Sequence, residues 1–325
     1  MSNVKICGIG AYLPPLVVTN NKIGEFVETN DEWIVQRTGI SERRISEGEN
    51  TSEIATKAAK LALERAGIDS KDLDLIIVAT ISPDAFIPSV ACLVQSNLDA
   101  DNAACFDISV ACSGFVYALE VANAMMKSMN YKNALVIGAE VLSKVTDWTD
   151  RGTCILFGDG AGAVVLKHEQ DETKGIIKSY LRSDGKKGEA LTIGGTDFDT
   201  PFSKEKMIAD KLIRMNGREI LRFAVPAIVD AVNEVLKDTD VSLDEIKYIV
   251  PHQANYRIIK SAAQKLELEE EKFYLNLDRV GNTSGASVPI ALNEMYEKNL
   301  INKGDKFILV AFGGGLTYAA TLVEW

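Results

Sequence analysis

Five runs along the chain are almost continuously apolar and rich in β-branched residues: Leu75–Thr80, Ala134–Gly138, Ala163–Leu166, Ile246–Val250 and Phe307–Phe312. A strand with one wet face alternates apolar and polar residues, whereas a strand covered on both faces does not, so these runs predict sheets buried between helices. Helical periodicity fills the intervals. Over Thr51–Ala66 the residues Ile54, Ala55, Ala58, Leu61 and Ala62 share one face, and Gly67 follows as a C-terminal cap. Gly217–Leu236 and Arg257–Leu266 read the same way, with Pro226 expected to kink or restart the first of them. Strands alternating with helices, the strands buried, mean an α/β fold.

The pattern then repeats. DLDLIIVAT (72–80) matches DEIKYIVPH (244–252) at an offset of 172, CSGFVYAL (112–119) matches TSGASVPIAL (283–292) with the Ser-Gly pairs 171 apart, and FGDGAGAVVL (157–166) matches FGGGLTYAATLV (312–323) 155 apart. The blocks keep their order, which predicts two similar halves, 1–172 and 173–325, with the polar run His168–Lys174 between them. The shorter last offset leaves about sixteen extra residues in the first half, around Leu142–Cys154; insertions outside a shared scaffold tend to be functional loops. Two such halves face equivalent loops toward one shared site.

Composition narrows the chemistry. The 325 residues are 46% hydrophobic and 25% charged, an ordinary globular balance, and 35 basic against 46 acidic side chains give a net charge of −11. That surplus of acid argues against a nucleic-acid binder. No apolar run reaches the roughly 18 residues of a membrane span, and the N-terminal stretch has no signal-peptide pattern. Five cysteines, odd in number and without a CxxC, fit reduced thiols in the cytoplasm better than disulfides or a metal site. With only His168 and His252 available, ten Cys–His pairings exist.

Cys7, Cys92, Cys105 and Cys154 lie in apolar surroundings and read as small buried hydrophobes. Cys112 differs: it follows the strand-like CFDISVA, precedes Ser113-Gly114 and opens the apolar run FVYALEVANAMM. A strand, a tight turn and a helix N-terminus expose a thiol and favour its thiolate, so Cys112 is either a nucleophile or one more buried cysteine. His168, in a charged connector, reads as solvated. His252 stands where an apolar strand ends, the place ligands bind in α/β sheets, and is either a site residue or a structural histidine. The repeat brings Asn282, in Gly281-Asn282-Thr283-Ser284-Gly285, opposite the Cys112 elbow. The glycine runs 158–162 and 313–315 lack phosphate-loop spacing and the P-loop lysine; they read as close backbone approach, with an exposed N–H able to hold an oxyanion.

Together the segments DISVACSGF, FGDGAGA, PHQAN, GNTSGAS and FGGGLTYA, with GIGAYLP and DEWIVQRTGISERR nearer the start, resemble β-ketoacyl-acyl carrier protein synthase III, a condensing enzyme of the thiolase superfamily, over essentially the whole chain. The resemblance implies a duplicated, five-layered α-β-α-β-α fold and a cytoplasmic homodimer. It implies decarboxylating condensation of an acyl-CoA primer with malonyl-acyl carrier protein, starting type II fatty-acid synthesis, with coenzyme A thioester as substrate and no cofactor or metal. A related synthase of a polyketide- or quinolone-type pathway, or a non-catalytic partner subunit, is the alternative.

Carried over by position, the triad is Cys112, His252 and Asn282, and the oxyanion donors are the N–H groups of Cys112 and Gly314. Coenzyme A contacts fall on Trp33 and Arg151, expected to sandwich the adenine, and on Arg37, Thr38, Gly152, Gly217 and Asn255. Carrier docking falls on Arg222, Arg257 and Lys265, within a basic face that also holds Arg214, Arg218 and Lys260; Gln264 stands where many members are basic. The acyl pocket falls on Phe86, Ile87, Leu142 and Phe157. Ile87 replaces an aromatic that in many members reaches across the dimer, which implies either room for branched or longer primers or, with Phe86 swinging in or the register shifted by one, an aromatic supplied from the next position.

Overall fold

Leu75–Ala79 has every residue fully buried, and its alternate side chains enter two different cores. Leu75, Ile77 and Ala79 join a central cluster with Phe115, Leu119 and Ala122 of the helix Gly114–Met129, while Ile76 and Val78 join an outer cluster with the helices Thr51–Ala66 and Val90–Asn97. The strand Lys306–Gly313 does the same in the second half. Phe307, Leu309 and Ala311 face the central cluster; Ile308, Val310 and Phe312 face Gly217–Leu236 and Tyr256–Lys265. The missing polar alternation is therefore double burial, at about 1.5–3 kcal/mol for each large side chain removed from water. The layers are helix, sheet, helix, sheet, helix, the arrangement the resemblance implies. The computed structural model describes residues 3–169 and 175–325.

The first sheet orders its strands Asn3–Tyr12, Gly160–Glu169, Asn133–Glu140, Leu75–Ala79, Ala104–Ile108; the second orders Gly175–Ser183, Thr317–Glu324, Lys306–Gly313, Ile246–Pro251. Strand directions correspond position for position. A counterpart of Ala104–Ile108 survives only as a single bridge between Ile249 and Phe273. The boundary expected at 172/173 falls in residues outside the described ones.

Register corrects the repeat. The equivalent strands Asn133–Glu140 and Lys306–Gly313 both begin and end 173 residues apart, and at that offset Leu75 opposite Ala134 matches Tyr248 opposite Phe307; Leu166 and Val323, opposite the same Ala134 and Phe307, are 157 apart. The offsets of 172, 171 and 155 read from sequence were one to two residues short, because the identical Ser-Gly and Phe-Gly pairs are not at equivalent places. The sixteen-residue excess survives: residues 141–159 join two strands that the second half joins with 314–316.

The corrected register pairs Ala111 with Ser284 and Cys112 with Gly285. Both open one-turn 3₁₀ segments, Ala111–Ser113 and Ser284–Ala286, that run into the helices Gly114–Met129 and Ser287–Glu297, and both first residues are left-handed, Ala111 at φ +45° and Ser284 at φ +47°. Such a conformation costs a non-glycine residue about 1–2 kcal/mol and persists only where the surroundings impose it.

Asn50 and Glu53 form a capping box on Thr51–Ala66, and Gly67 closes it at φ +63°. Gly217–Leu236, in contrast, runs unbroken through Pro226. Pro226 sits on the exposed side, while Ala224, Val225, Ala227, Ile228, Ala231, Val232 and Val235 pack inward, so the carbonyl it strands faces water and burial carries the helix past it. His168 is likewise not a solvated connector residue: it is half-buried in the strand Gly160–Glu169, opposite Val4.

Candidate active site

Cys112 is only 6% exposed at the head of the central helix. Gly313 makes its position possible: a Cβ there would lie 2.6 Å from Cys112 N and 3.0 Å from its Cβ. Gly314 follows, against the Ala111 side of the same turn. Burial pushes the Cys112 thiol up to about 12, against the thiolate that the helix N-terminus favours.

His252 ends the strand Ile246–Pro251, its N–H donating to Val310 O at 2.8 Å, and its ring meets Phe312 edge-on at 5.2 Å. Nδ1 lies 2.7 Å from Ser287 Oγ, at the start of the second central helix. Burial lowers its pKa to about 3, so the imidazole is neutral; Ser287 Oγ accepts from Gln253 N at 3.3 Å, which leaves its own proton for Nδ1 and assigns the ring proton to Nε2.

Asn282 is clamped from the other half. Its N–H donates to Leu156 O at 2.8 Å and its carbonyl accepts from Gly158 N at 3.0 Å, both at the end of the first-half insertion. Its Oδ1 accepts from Ser284 N at 2.8 Å, which leaves the side-chain nitrogen as a donor. Cys112, His252 and Asn282 line one cavity of about 320 Å³, with Phe157, Phe312 and Gly313.

Trp33, Arg37, Thr38, Gly152, Gly217, Asn255 and Arg257 line the outer part of that cavity. Arg37 and Arg151 both stand over the Trp33 ring, at 5.1 and 4.7 Å from its centroid. Arg151 also donates to Glu28 O at 3.0 Å. It thus touches the indole directly, and an adenine between the two needs them to part. Asn255 caps Tyr256–Lys265 and donates to Arg37 O at 3.1 Å, while Arg257 donates twice to Gln36 O, tying this helix to Asp31–Thr38 of the first half.

A second cavity of about 680 Å³ lies on the other side of Cys112, lined by Ile81, Phe86, Leu142, Phe157, Ser284 and Gly314 among others. Phe86 borders it, although 77% exposed; Ile87 does not, and is 88% exposed. The basic face is thinner than the sequence suggests. Arg214 is held by Asp147 and Asp210, Arg222 by Glu219 and Lys260 by Glu270. Among the described residues, Arg218 and Lys265 are exposed and carry no ion pair.

Sequence reasoning passed over Ser287, the partner of His252, and Glu140, a fully buried carboxyl. One signal was present for Glu140: an acidic residue closing the otherwise apolar strand Asn133–Glu140.

Comparison with known proteins identifies the family. Residues 106–185 match the family described as 3-oxoacyl-[acyl-carrier-protein (ACP)] synthase III, and residues 236–325 match its C-terminal counterpart. The chain is 82% identical over 325 residues, all of both chains, to the beta-ketoacyl-[acyl-carrier-protein] synthase III of Clostridium beijerinckii, and 54% identical over all of both chains to that of Clostridium novyi. The crystal structure of 3-oxoacyl-[acyl-carrier-protein] synthase III from Aquifex aeolicus superposes with a TM-score of 0.92 at 45% identity, covering 99% of this chain and 100% of that one.

Proposed function

The chain belongs to the beta-ketoacyl-[acyl-carrier-protein] synthase III family, and from that membership we propose that it joins an acyl-CoA primer to malonyl-acyl carrier protein, with Cys112, His252 and Asn282 doing the chemistry. It is an acyltransferase of the condensing class, working at the first step of fatty-acid synthesis. The observation that carries the residue assignment is the convergence of a thiol, a neutral imidazole and an amide donor on one cavity whose mouth holds Trp33, Arg37 and Asn255.

In the first half-reaction, Cys112 Sγ attacks the thioester carbonyl and the N–H groups of Cys112 and Gly314 hold the oxyanion; one such donor is worth on the order of 3–4 kcal/mol in the transition state. Coenzyme A leaves through the channel that Trp33, Arg37, Thr38, Gly152, Gly217 and Asn255 line, past Arg151 against the Trp33 ring. In the second, malonyl-acyl carrier protein docks over Arg222, Arg257 and Lys265, and His252 Nε2–H and the Asn282 amide donate to its thioester carbonyl. Two neutral donors stabilise the enolate as carbon dioxide departs, which asks for no metal and no further cofactor. The enolate carbon then attacks the acyl-Cys112 carbonyl carbon, the bond from that carbon to Cys112 Sγ breaks, and 3-oxoacyl-acyl carrier protein leaves with the thiol restored.

Phe86 and Ile87, both outward, support a homodimer in which this corner meets the partner, with Leu142 and Phe157 walling the acyl cavity. The two halves, 1–172 and 173–325, then divide the nucleophile from the donors. No helix among the described residues is long and apolar enough to cross a membrane, which accords with work in the cytoplasm.

Intact mass after mixing with acetyl- or isobutyryl-CoA tests the assignment. Wild type and Asn282→Ala gain one acyl group, Cys112→Ala gains none, and Asn282→Ala loses condensation by 100-fold or more. Acylation of Cys112→Ala, or undiminished condensation by Asn282→Ala, overturns it.

A further inference from the structure

Glu140 is the pseudo-dyad mate of Gly313, the residue that clears space for Cys112. It ends the central strand of the first sheet with its carboxyl fully buried. Oε2 accepts from Ser82 Oγ at 2.5 Å, Ile81 N at 3.1 Å and Thr80 Oγ1 at 3.2 Å. Oε1 has only a long contact to the same Ile81 N, at 3.2 Å, and faces the Ser284–Gly285 turn, 3.6 Å from where a Cβ on Gly285 would lie. Ser284 completes the line. Its hydroxyl is buried, makes no completed hydrogen bond, and lies in interaction range of both the Cys112 thiol and the Glu140 carboxyl. It also borders the second cavity together with Cys112, and its backbone is held left-handed. A strained, buried, unpartnered hydroxyl between a nucleophile and a carboxylate is not accounted for by packing.

Resting on the proposed condensing activity, the geometry points to a proton relay from Cys112 through Ser284 to Glu140. As Cys112 Sγ bonds to the thioester carbonyl carbon, its S–H bond breaks and the proton passes to Ser284 Oγ, while the Ser284 hydroxyl proton passes to Glu140 Oε1. The carbonyl π pair moves to oxygen. On collapse, the carbon–sulfur bond to coenzyme A breaks and the coenzyme A thiolate takes a proton from water at the cavity mouth. Glu140 keeps the relayed proton and returns it through Ser284 to Cys112 Sγ when the second half-reaction breaks the acyl–sulfur bond.

Acid–base properties agree with the geometry. Burial raises Glu140 to about 7, whereas burial of His252 lowers it to about 3, so the carboxylate is the better acceptor for a proton leaving a thiol. The titratable groups in range of Glu140 are Cys112, from the nucleophile turn, and Lys144, from the turn after its own strand; the 80–82 loop and the 284–285 turn present hydroxyls and backbone.

The test is the rate of single acylation of Cys112 by acetyl-CoA from pH 5 to 9, with iodoacetamide alkylation of Cys112 run beside it. In the wild type both rates rise with pH through a limb near 7, as the carboxyl loses its proton and becomes able to accept one. Glu140→Gln, of the same shape, loses the limb and slows acylation 100-fold or more; Ser284→Ala does likewise, the pair together does little worse, and Glu140→Asp recovers the limb. A Glu140→Gln enzyme that keeps the wild-type limb overturns the relay, whether its rate is unchanged or lowered equally at every pH. If no CoA thioester acylates the wild type, the proposed function falls, and the alkylation profile still decides the relay.

Discussion

The two halves share strand order and elbow conformation and differ at the few positions where chemistry happens. At the elbow the first half has Cys112 and the second has Gly285. At the end of the central strand the first has Glu140, filling its place with a carboxyl, and the second has Gly313, which leaves room for the neighbouring thiol. After that strand the first inserts 141–159, carrying Arg151 and Gly152 to the cavity mouth, where the second turns back in 314–316. A duplicated scaffold thus supplies two equivalent sites, and only one is opened. The asymmetry lies in side-chain volume and loop length, with the backbone path kept.

The sharpest way to break this comparison is to close the open site. In Gly313→Ala the new methyl meets the Cys112 backbone N at 2.6 Å, where no flexible side chain can yield. The nucleophile turn must shift, so acylation falls 100-fold or more and the fold loses about 1–3 kcal/mol to overpacking. Intact-mass kinetics and thermal melts report both. Acylation within threefold of wild type would mean that the glycine is not what makes room for the thiol.

The closed site makes a pH-dependent contribution of its own. Glu140 titrates near 7 in the folded chain against 4.5 for an ordinary glutamate, so the native state binds its proton more tightly than the unfolded state does. Its contribution to stability is complete below about pH 4.5, falls as pH rises to 7, and is level above. His252, depressed to about 3, works oppositely, losing stability as pH falls below 6.5, so the two offset each other over pH 4.5–6.5 in the wild type. Glu140→Gln removes one of them. Its stability relative to wild type should therefore climb by roughly 3 kcal/mol between pH 4.5 and 7, measured by denaturant unfolding. A difference that stays flat with pH would mean the carboxyl is not held neutral.

Much of the open site was legible because its chemistry is scarce. Two histidines and five cysteines leave few pairings, and the repeat placed Asn282 opposite Cys112 even with its register off by two. What sequence could not show depends on burial and on partners distant in the chain. A helix N-terminus argued for a thiolate, whereas the burial of Cys112, 6% exposed and packed against Gly313, acts the other way. Arg214 and Lys260 looked like a docking face until Asp147, Asp210 and Glu270 were found against them. Glu140 drew no reading from sequence, because only the strand pairing shows that it is the counterpart of Gly313.

The smallest expected effect concerns how cleanly the halves divide their labour. Arg257 and Lys265 lie on one helix of the second half, Tyr256–Lys265, and both belong to the docking surface proposed above for the carrier protein. Lys265 is exposed and free of ion pairs, so Lys265→Glu should raise KM for malonyl-acyl carrier protein about 3- to 10-fold, more at low salt, and leave acylation by acyl-CoA unchanged. Arg257 also holds Gln36 O and borders the cavity mouth, so reversing it loosens the helix that carries Trp33 and Arg37. Arg257→Glu should therefore raise KM for both substrates, by a few-fold each. Separate titrations of the two half-reactions distinguish the cases. If Arg257→Glu impaired the carrier step alone, the tie to Gln36 would be incidental, and the second half would support coenzyme A binding through Gly217 and Asn255 without Arg257.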